Sequence, residues 1–223
     1  MSTILPVQCQ QLLSAGCAAL KITLTAEQET LLLAYTEQLC KWNKAYNLTA
    51  IRQPEAMLKL HILDSLSVLQ KLAELKPQRI IDVGTGPGLP GMILAIMWPQ
   101  VEVHLLDTNG KKTRFLTHCK HLLALKNVTV LNKRVEQHQP QQGYDIVVSR
   151  AFASISDMLE GCDRLVASQG VFTPMKGQYP EAELAVMPTT YQLLSSTELN
   201  VPGVDAERHL LVIYKKASFS TNN

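Results

Sequence analysis

From residue 1 to about residue 75, apolar positions recur at helical spacing. Leu31, Leu32, Tyr35, Leu39, Trp42 and Tyr46 keep mainly the three-and-four rhythm of one helical face. Thr25 precedes them as an N-cap, with Gln28 three residues on completing a capping box. A further pattern, Met57, Leu58, His61, Ile62, Ser65, Leu66 and Leu69, follows Pro54. It ends at Lys76-Pro77, because proline disfavours α geometry in the residue before it.

From Arg79 the rhythm changes. Ile80-Ile81-Asp82-Val83 is a short apolar strand, followed by a Gly/Pro loop and the apolar run Met92 to Trp98. Val101 to Leu106, Val128 to Leu131, Tyr144 to Ser149 and Gly170 to Thr173 read as further strands. Helices fall over Lys111 to Leu125 and near Ser156 to Val166. Short strands alternating with helices make βαβ units and a parallel sheet. The chain closes differently: Tyr191-Gln-Leu-Leu-Ser and His209 to Lys215 are separated by Pro202-Gly203 and polar residues. That gap is too poor in helix signal for a crossover, so a final antiparallel hairpin is predicted.

The loop Asp82-Val-Gly84-Thr-Gly86-Pro-Gly88-Leu89-Pro90-Gly91 follows the first strand directly. Glycines let backbone approach a ligand, and the end of a first strand is the ligand crevice of open α/β sheets. Gly86, Gly88 and Gly91 satisfy the dinucleotide fingerprint, which alone is weak. The loop also has P-loop spacing, but Met92 and Ile93 replace the lysine and hydroxyl residue a phosphate clamp needs. S-adenosylmethionine is the third reading. Asp82 would repel a pyrophosphate but suits the ammonium end of a methionine moiety, directly or through water. Asp107, ending the second strand, would accept ribose hydroxyls in either a nicotinamide enzyme or a methyltransferase.

Charge adds a local feature. The chain is only +2 overall, yet between Thr108 and Val135 it carries seven basic residues and no acidic one. Lys111, Lys112 and Arg114 open a helix, where cations oppose the helix dipole. Phosphate contact explains that cost, and Arg134 belongs to the same run. The alternative is an ordinary solvated face. Five cysteines lack metal or redox spacing, and six scattered histidines form no ligand set, so no metal is expected. No apolar run is long enough for a membrane span, and the first residues do not read as a signal peptide. A cytoplasmic monomer is expected.

Several absences bear on chemistry. The fourth strand ends in Ser149-Arg150-Ala151-Phe152, not the Asn/Asp-Pro-Pro-aromatic string typical of exocyclic-amine methylation. Cys119 and Cys162 fall in predicted helices away from the loop, so no cysteine nucleophile for a pyrimidine carbon is in view. Arg150 sits where it would contact a base or cofactor by positioning rather than acid–base work, or else serves as a surface ion-pair residue. Phe152 would stack on a base or belong to the core. Asn43, Tyr46 and Asn47 cap a helix or line a cleft. His61 and Asp64 stand three apart, close enough for a local pair.

The strings Trp42-Asn-Lys-Ala-Tyr46-Asn47-Leu48-Thr49, His61-Ile-Leu-Asp64-Ser65, the Asp82–Gly91 loop, Ser149-Arg150-Ala-Phe152-Ala, Lys176-Gly177 and Glu207-Arg208-His209-Leu210 occur in order. Together they resemble the RsmG family, the bacterial guanine-N7 methyltransferases of small-subunit ribosomal RNA, also called glucose-inhibited division protein B. The resemblance implies a class I S-adenosylmethionine-dependent methyltransferase fold (α/β, Rossmann-like), mostly parallel with a C-terminal antiparallel hairpin. It implies a helical N-terminal extension over 1–76 and a methyltransferase domain over 77–223. By matching motifs, cofactor contacts fall on Gly84, Leu89, Val135, Glu136 and Arg150, beside Asp82, Gly86, Gly88 and Asp107 from the loop reading. Gln137 stands where many relatives carry a second acid. The RNA-contacting set is Lys111, Lys112, Arg114, Arg134, Phe152 and Lys176, and the implied partner is 16S rRNA in a small subunit or assembly intermediate. A nicotinamide-dependent oxidoreductase and a non-catalytic RNA-binding protein are the competing readings.

Overall fold

The computed structural model describes residues 5–150 and 152–216; Ala151, inside the string that follows the fourth strand, lies outside them. Two helices come first, α1 (Val7–Ala19) and α2 (Ala26–Tyr46). The predicted capping box is present: Thr25 Oγ1 accepts from the Gln28 amide at 3.1 Å, and the Thr25 amide donates to Gln28 Oε1 at 2.9 Å. α2 stops at Asn47, which takes the left-handed conformation, as asparagine does more easily than most residues.

The next stretch, which the periodicity predicts as one helical pattern, is broken. It comprises α3 (Pro54–Met57), a π-helical segment Leu58–Leu63, α4 (Asp64–Leu66) and α5 (Leu69–Glu74). A single amphipathic face would bury only part of each turn. Here Leu58 and every residue from His61 to Leu66 are buried. The π segment turns the residues after it relative to those before, which a regular helix cannot do.

Seven strands then build one sheet in the order β3-β2-β1-β4-β5-β7-β6. They are β1 (Arg79–Val83), β2 (Glu102–Asp107), β3 (Val128–Asn132), β4 (Tyr144–Ser149), β5 (Val166–Lys176), β6 (Tyr191–Glu198) and β7 (His209–Lys215). The first five are parallel, and β7 inserts antiparallel between β5 and β6. The connecting helices are α6 (Gly91–Met97), α7 (Gly110–Leu122), α8 (Ile155–Cys162) and a short α9 (Glu181–Ala185). α7 ends earlier than predicted because Ala124 turns left-handed. β5 runs longer than predicted, since its exposed polar start at Ser168 and Gln169 carries no apolar signal.

Both sheet faces are covered. Ile80 joins a core with Leu13, Leu32, Tyr35, Leu39 and Phe115. Its neighbour Ile81 points the other way, to a second core with Val147, Met158, Leu159 and Phe172. This is the two-residue alternation of a strand buried on both sides. The N-terminal helices therefore share one continuous core with the sheet. They also bring Tyr35, His61 and Asp64 to the carboxyl ends of β1 and β4.

Candidate active site

The glycine loop is held by a dense set of hydrogen bonds. Gly84 N and Thr85 N both donate to the Leu106 carbonyl, at 2.8 and 3.1 Å. Gly86 N donates to Asp107 Oδ2 at 2.9 Å. From below, Asp82 Oδ2 accepts from Thr85 Oγ1 at 2.6 Å and from Gly91 N at 2.8 Å. From the N-terminal side, the Tyr35 hydroxyl donates to the Pro87 carbonyl at 2.6 Å. Tyr35 lies on an apolar helix face, so the sequence offers it only as core.

The glycines divide by role. Gly84 and Gly86 have φ of 69° and 62°, where a side chain is strained. A Cβ on Gly86 would have nothing closer than 4.0 Å, so the loop backbone there is open to a ligand. Gly88, whose φ is also positive at 105°, and Gly91 differ in being crowded. A Cβ on Gly88 would meet Leu116 Cδ2 at 2.6 Å, and one on Gly91 would meet Leu105 Cδ2 at 2.4 Å. Gly88, placed among cofactor contacts on its fingerprint spacing, thus faces the α7 side and lines neither cavity described below. Spacing alone cannot tell a glycine that admits a ligand from one that admits a neighbouring side chain.

Two cavities open at the loop and share Gly84. The smaller, about 300 Å³, is lined by Asp107, Lys112, Arg134, Val135, Glu136 and Phe152 among others. Arg164 donates to the Val135 carbonyl and steadies the turn that carries Glu136. Phe152, read as either a base-stacking ring or a core residue, packs partly buried against the second core and walls this cavity. The larger cavity, about 490 Å³, is lined by His61, Asp64, Leu89, Arg150, Lys176 and Arg208 among others.

The expected His61–Asp64 pair does not form, because each side chain has better partners. Asp64 binds Arg150 Nη1 at 2.7 Å and Arg208 Nε at 2.9 Å. His61 Nδ1 donates to the Leu60 carbonyl at 3.0 Å, which leaves Nε2 to accept from Thr49 Oγ1 at 2.8 Å. Burial, then the nearby Arg150 charge, lowers its pKa to about 4, so the ring is neutral near pH 7. Arg208 lies in the Glu207–Leu210 string, whose local pattern gives no sign of a site residue. Only the β7 topology brings it beside Arg150. Asn43 is a buried connector that donates to the Ile51 carbonyl and accepts from the Thr49 amide. Lys176 reaches the larger cavity, but its ammonium pairs with Glu183 at 2.9 Å.

Lys111, Arg114 and Arg134 are exposed, whereas Lys112 leans toward Asp107 at 3.7 Å. Cys119 and Cys162 are buried thiols whose pKa burial raises, the latter to about 12, so neither is poised as a nucleophile. Among the described residues no cluster has the makings of a metal site, and no helix is long and apolar enough to cross a membrane.

Asp82 lies beneath the loop and itself lines neither cavity. It is fully buried, and Oδ1 has no hydrogen-bond partner. Burial raises its pKa to about 6, against the lowering pull of its bonds to Thr85 and Gly91. The Gly91 amide is taken by this carboxylate. A negative group under the loop repels a pyrophosphate and favours a cation. The fold and the site together define a class I S-adenosylmethionine-dependent methyltransferase.

Comparison with solved structures agrees on the fold. A methyltransferase of this donor class from Leishmania major superposes with a TM-score of 0.58 at 13% identity, covering 81% of this chain and 83% of that one. One from Aquifex aeolicus gives 0.54 at 16% identity, covering 71% and 92%. Residues 28–211 match the family model described as rRNA small subunit methyltransferase G, and the chain belongs to that family. Ribosomal RNA small subunit methyltransferase G of Marinomonas sp. is 51% identical over 90% of this chain and 95% of its own. The protein of that name from Escherichia coli O1:K1 is 49% identical over 86% and 91%.

Proposed function

We propose that this protein transfers the methyl group of S-adenosylmethionine to N7 of a guanine in 16S ribosomal RNA. The arrangement that carries the reading is the glycine loop, poised over the buried Asp82 carboxylate at the junction of the two cavities. The smaller cavity takes the adenosyl end of the donor, with Asp107 toward the ribose and Val135-Glu136 toward the adenine. Gly84 lies where the two cavities meet, and Arg150 and Leu89 line the side from which the base approaches. When bound, the donor supplies an electrophilic methyl on a cationic sulfur.

The target atom suits what the chain offers. Guanine N7 carries an in-plane lone pair and no proton, so the attack needs alignment rather than a general base. His61 has both ring nitrogens engaged and Asp64 is held by two arginines. Arg150 assists by position, toward O6 or a phosphate, since a donor on N7 itself would block the nucleophile. Exposed Lys111, Arg114 and Arg134 extend the basic surface toward the RNA backbone. Residues 1–76 act as the helical extension that walls the cleft, and 77–223 as the catalytic domain. The substrate is RNA in a small subunit or assembly intermediate, met by a monomer in the cytoplasm.

The test is transfer of labelled methyl from S-adenosylmethionine to small subunits from a strain lacking the protein. The expected product is one 7-methylguanosine in 16S rRNA, located by mass spectrometry of nuclease fragments. Label on another atom, or none with NAD bound instead, overturns the reading.

A further inference from the structure

One buried carboxylate holds two arginines that arrive from distant parts of the chain. Asp64 lies just beyond the π-helical segment of the N-terminal region, Arg150 just beyond β4 and Arg208 just before β7. The Asp64 side chain is 4% exposed, whereas those of Arg150 and Arg208 are 24% and 26% exposed, and all three line the larger cavity. Asp64 uses a separate oxygen for each partner. Each guanidinium therefore keeps donors beyond the one spent on Asp64, though Arg208 Nη1 also donates to the Glu207 carbonyl at 2.7 Å. Two guanidinium groups share the one Asp64 carboxylate, and the Arg150 charge also reaches the buried Asp82 beneath the loop. Lys176 does not join them, since Glu183 neutralises its ammonium. The π-helical turn, a feature met often at functional sites, sets the register in which Asp64 faces the cavity.

We infer that Asp64 is a positioning residue, which aims Arg150 and Arg208 so that their remaining donors bind an oxyanion in the larger cavity. The inference rests on the methyltransferase reading. An oxyanion there comes from one of two sources, the carboxylate of the methyl donor or a phosphate of the RNA. The guanidinium fork suits both, because each presents two acceptor oxygens in a plane. The bridge also explains why the N-terminal helices are welded to the sheet at the site itself: they hold the anion-binding pair in register with the glycine loop.

Asp64→Glu keeps the charge and lengthens the side chain, and Asp64→Asn keeps the size and removes the charge. Arg208→Gln removes one of the aimed cations. Each full-length variant is checked by thermal melting, then measured for S-adenosylhomocysteine affinity by calorimetry. RNA affinity is measured by filter binding between 50 and 200 mM salt, with single-turnover methyl transfer alongside. If the donor carboxylate is the ligand, Asp64→Glu and Arg208→Gln both weaken S-adenosylhomocysteine about tenfold and leave the salt dependence alone. If an RNA phosphate is the ligand, nucleoside affinity holds and the salt slope of RNA binding drops by about one in both. Either result supports the inference. Should Asp64→Glu fail to fold, the isosteric Asp64→Asn takes its place. It is expected to slow single-turnover transfer about a hundredfold through misaligned arginines. A folded Asp64 variant with both affinities and the single-turnover rate of the parent overturns the inference. So does an effect of Arg208→Gln that no Asp64 variant shares. Wild-type protein that fails to methylate RNA would sink the functional reading instead, which separates the two failures.

Discussion

Asp82→Asn separates what the buried carboxylate does for stability from what it does for binding. Asp82 has no exposed surface, and burial lifts its carboxyl from 3.8 to about 6. A rise of that size is worth about 3 kcal/mol, at roughly 1.4 kcal/mol per pH unit. The native state holds the proton more tightly than the unfolded chain. The stabilisation from this group is therefore complete below about pH 4 and lost as pH rises through about 6. Asparagine has the same shape, and its one carbonyl oxygen can still accept from Thr85 Oγ1 and the Gly91 amide, the two donors that Asp82 Oδ2 satisfies. Weakening two charge-assisted bonds costs about 1 kcal/mol each, against the roughly 3 kcal/mol removed with the buried charge. The asparagine Nδ2 takes the place of the unpartnered Oδ1 and adds about 1–3 kcal/mol of unsatisfied donor, so the variant is expected to match the parent or fall up to about 2 kcal/mol below it above pH 7, and to fall further behind near pH 4.5. Its affinity for the cationic donor is expected to drop ten- to a hundredfold, the worth of one charge-assisted interaction. Thermal melts from pH 4.5 to 8, with calorimetry of S-adenosylmethionine at pH 7.5, measure both quantities. A folded variant that binds the donor as the parent does would refute the reasoning, making Asp82 a purely structural clamp.

A pair of variants separates the two kinds of glycine. Gly86→Ala is expected to cost only about 1–2 kcal/mol of left-handed strain while abolishing donor binding, whereas Gly91→Ala, whose Cβ would press on Leu105 and Asp82, is expected to fold poorly; melting and calorimetry on both decide it. Lys111→Ala with Arg114→Ala is expected to flatten the salt dependence of RNA binding by about two without altering donor affinity, read by filter binding. Thr25→Ala, which removes the side-chain half of the capping box, is expected to lower stability by about 1 kcal/mol with methyl transfer intact, read by denaturant unfolding. In the parent, His61 is held neutral, so single-turnover rates are expected to show no inflection from it near pH 6.5, and His61→Gln should leave the profile unchanged.

Much of this molecule is written in local order. The alternation of short apolar runs with helical periods specified the five parallel strands, the Thr25 cap and the final antiparallel pair, because each depends on neighbours in the chain. The crowded Gly/Pro loop after Ile80–Val83 marked the ligand end of the sheet for the same reason. Local pattern did not reveal which glycine of the loop meets a ligand, since Gly88 and Gly91 are small to admit Leu116 and Leu105, residues that arrive from elsewhere. Nor did it reveal that His61 and Asp64, three apart in the chain, bind other partners. Asp64 is 86 residues from Arg150 and 144 from Arg208, and a salt bridge over such spans is chosen by the packing of whole elements. A side chain's partner is set by which groups share its desolvated volume. Spacing along the chain settles the backbone, and only the assembled core settles who stands beside whom.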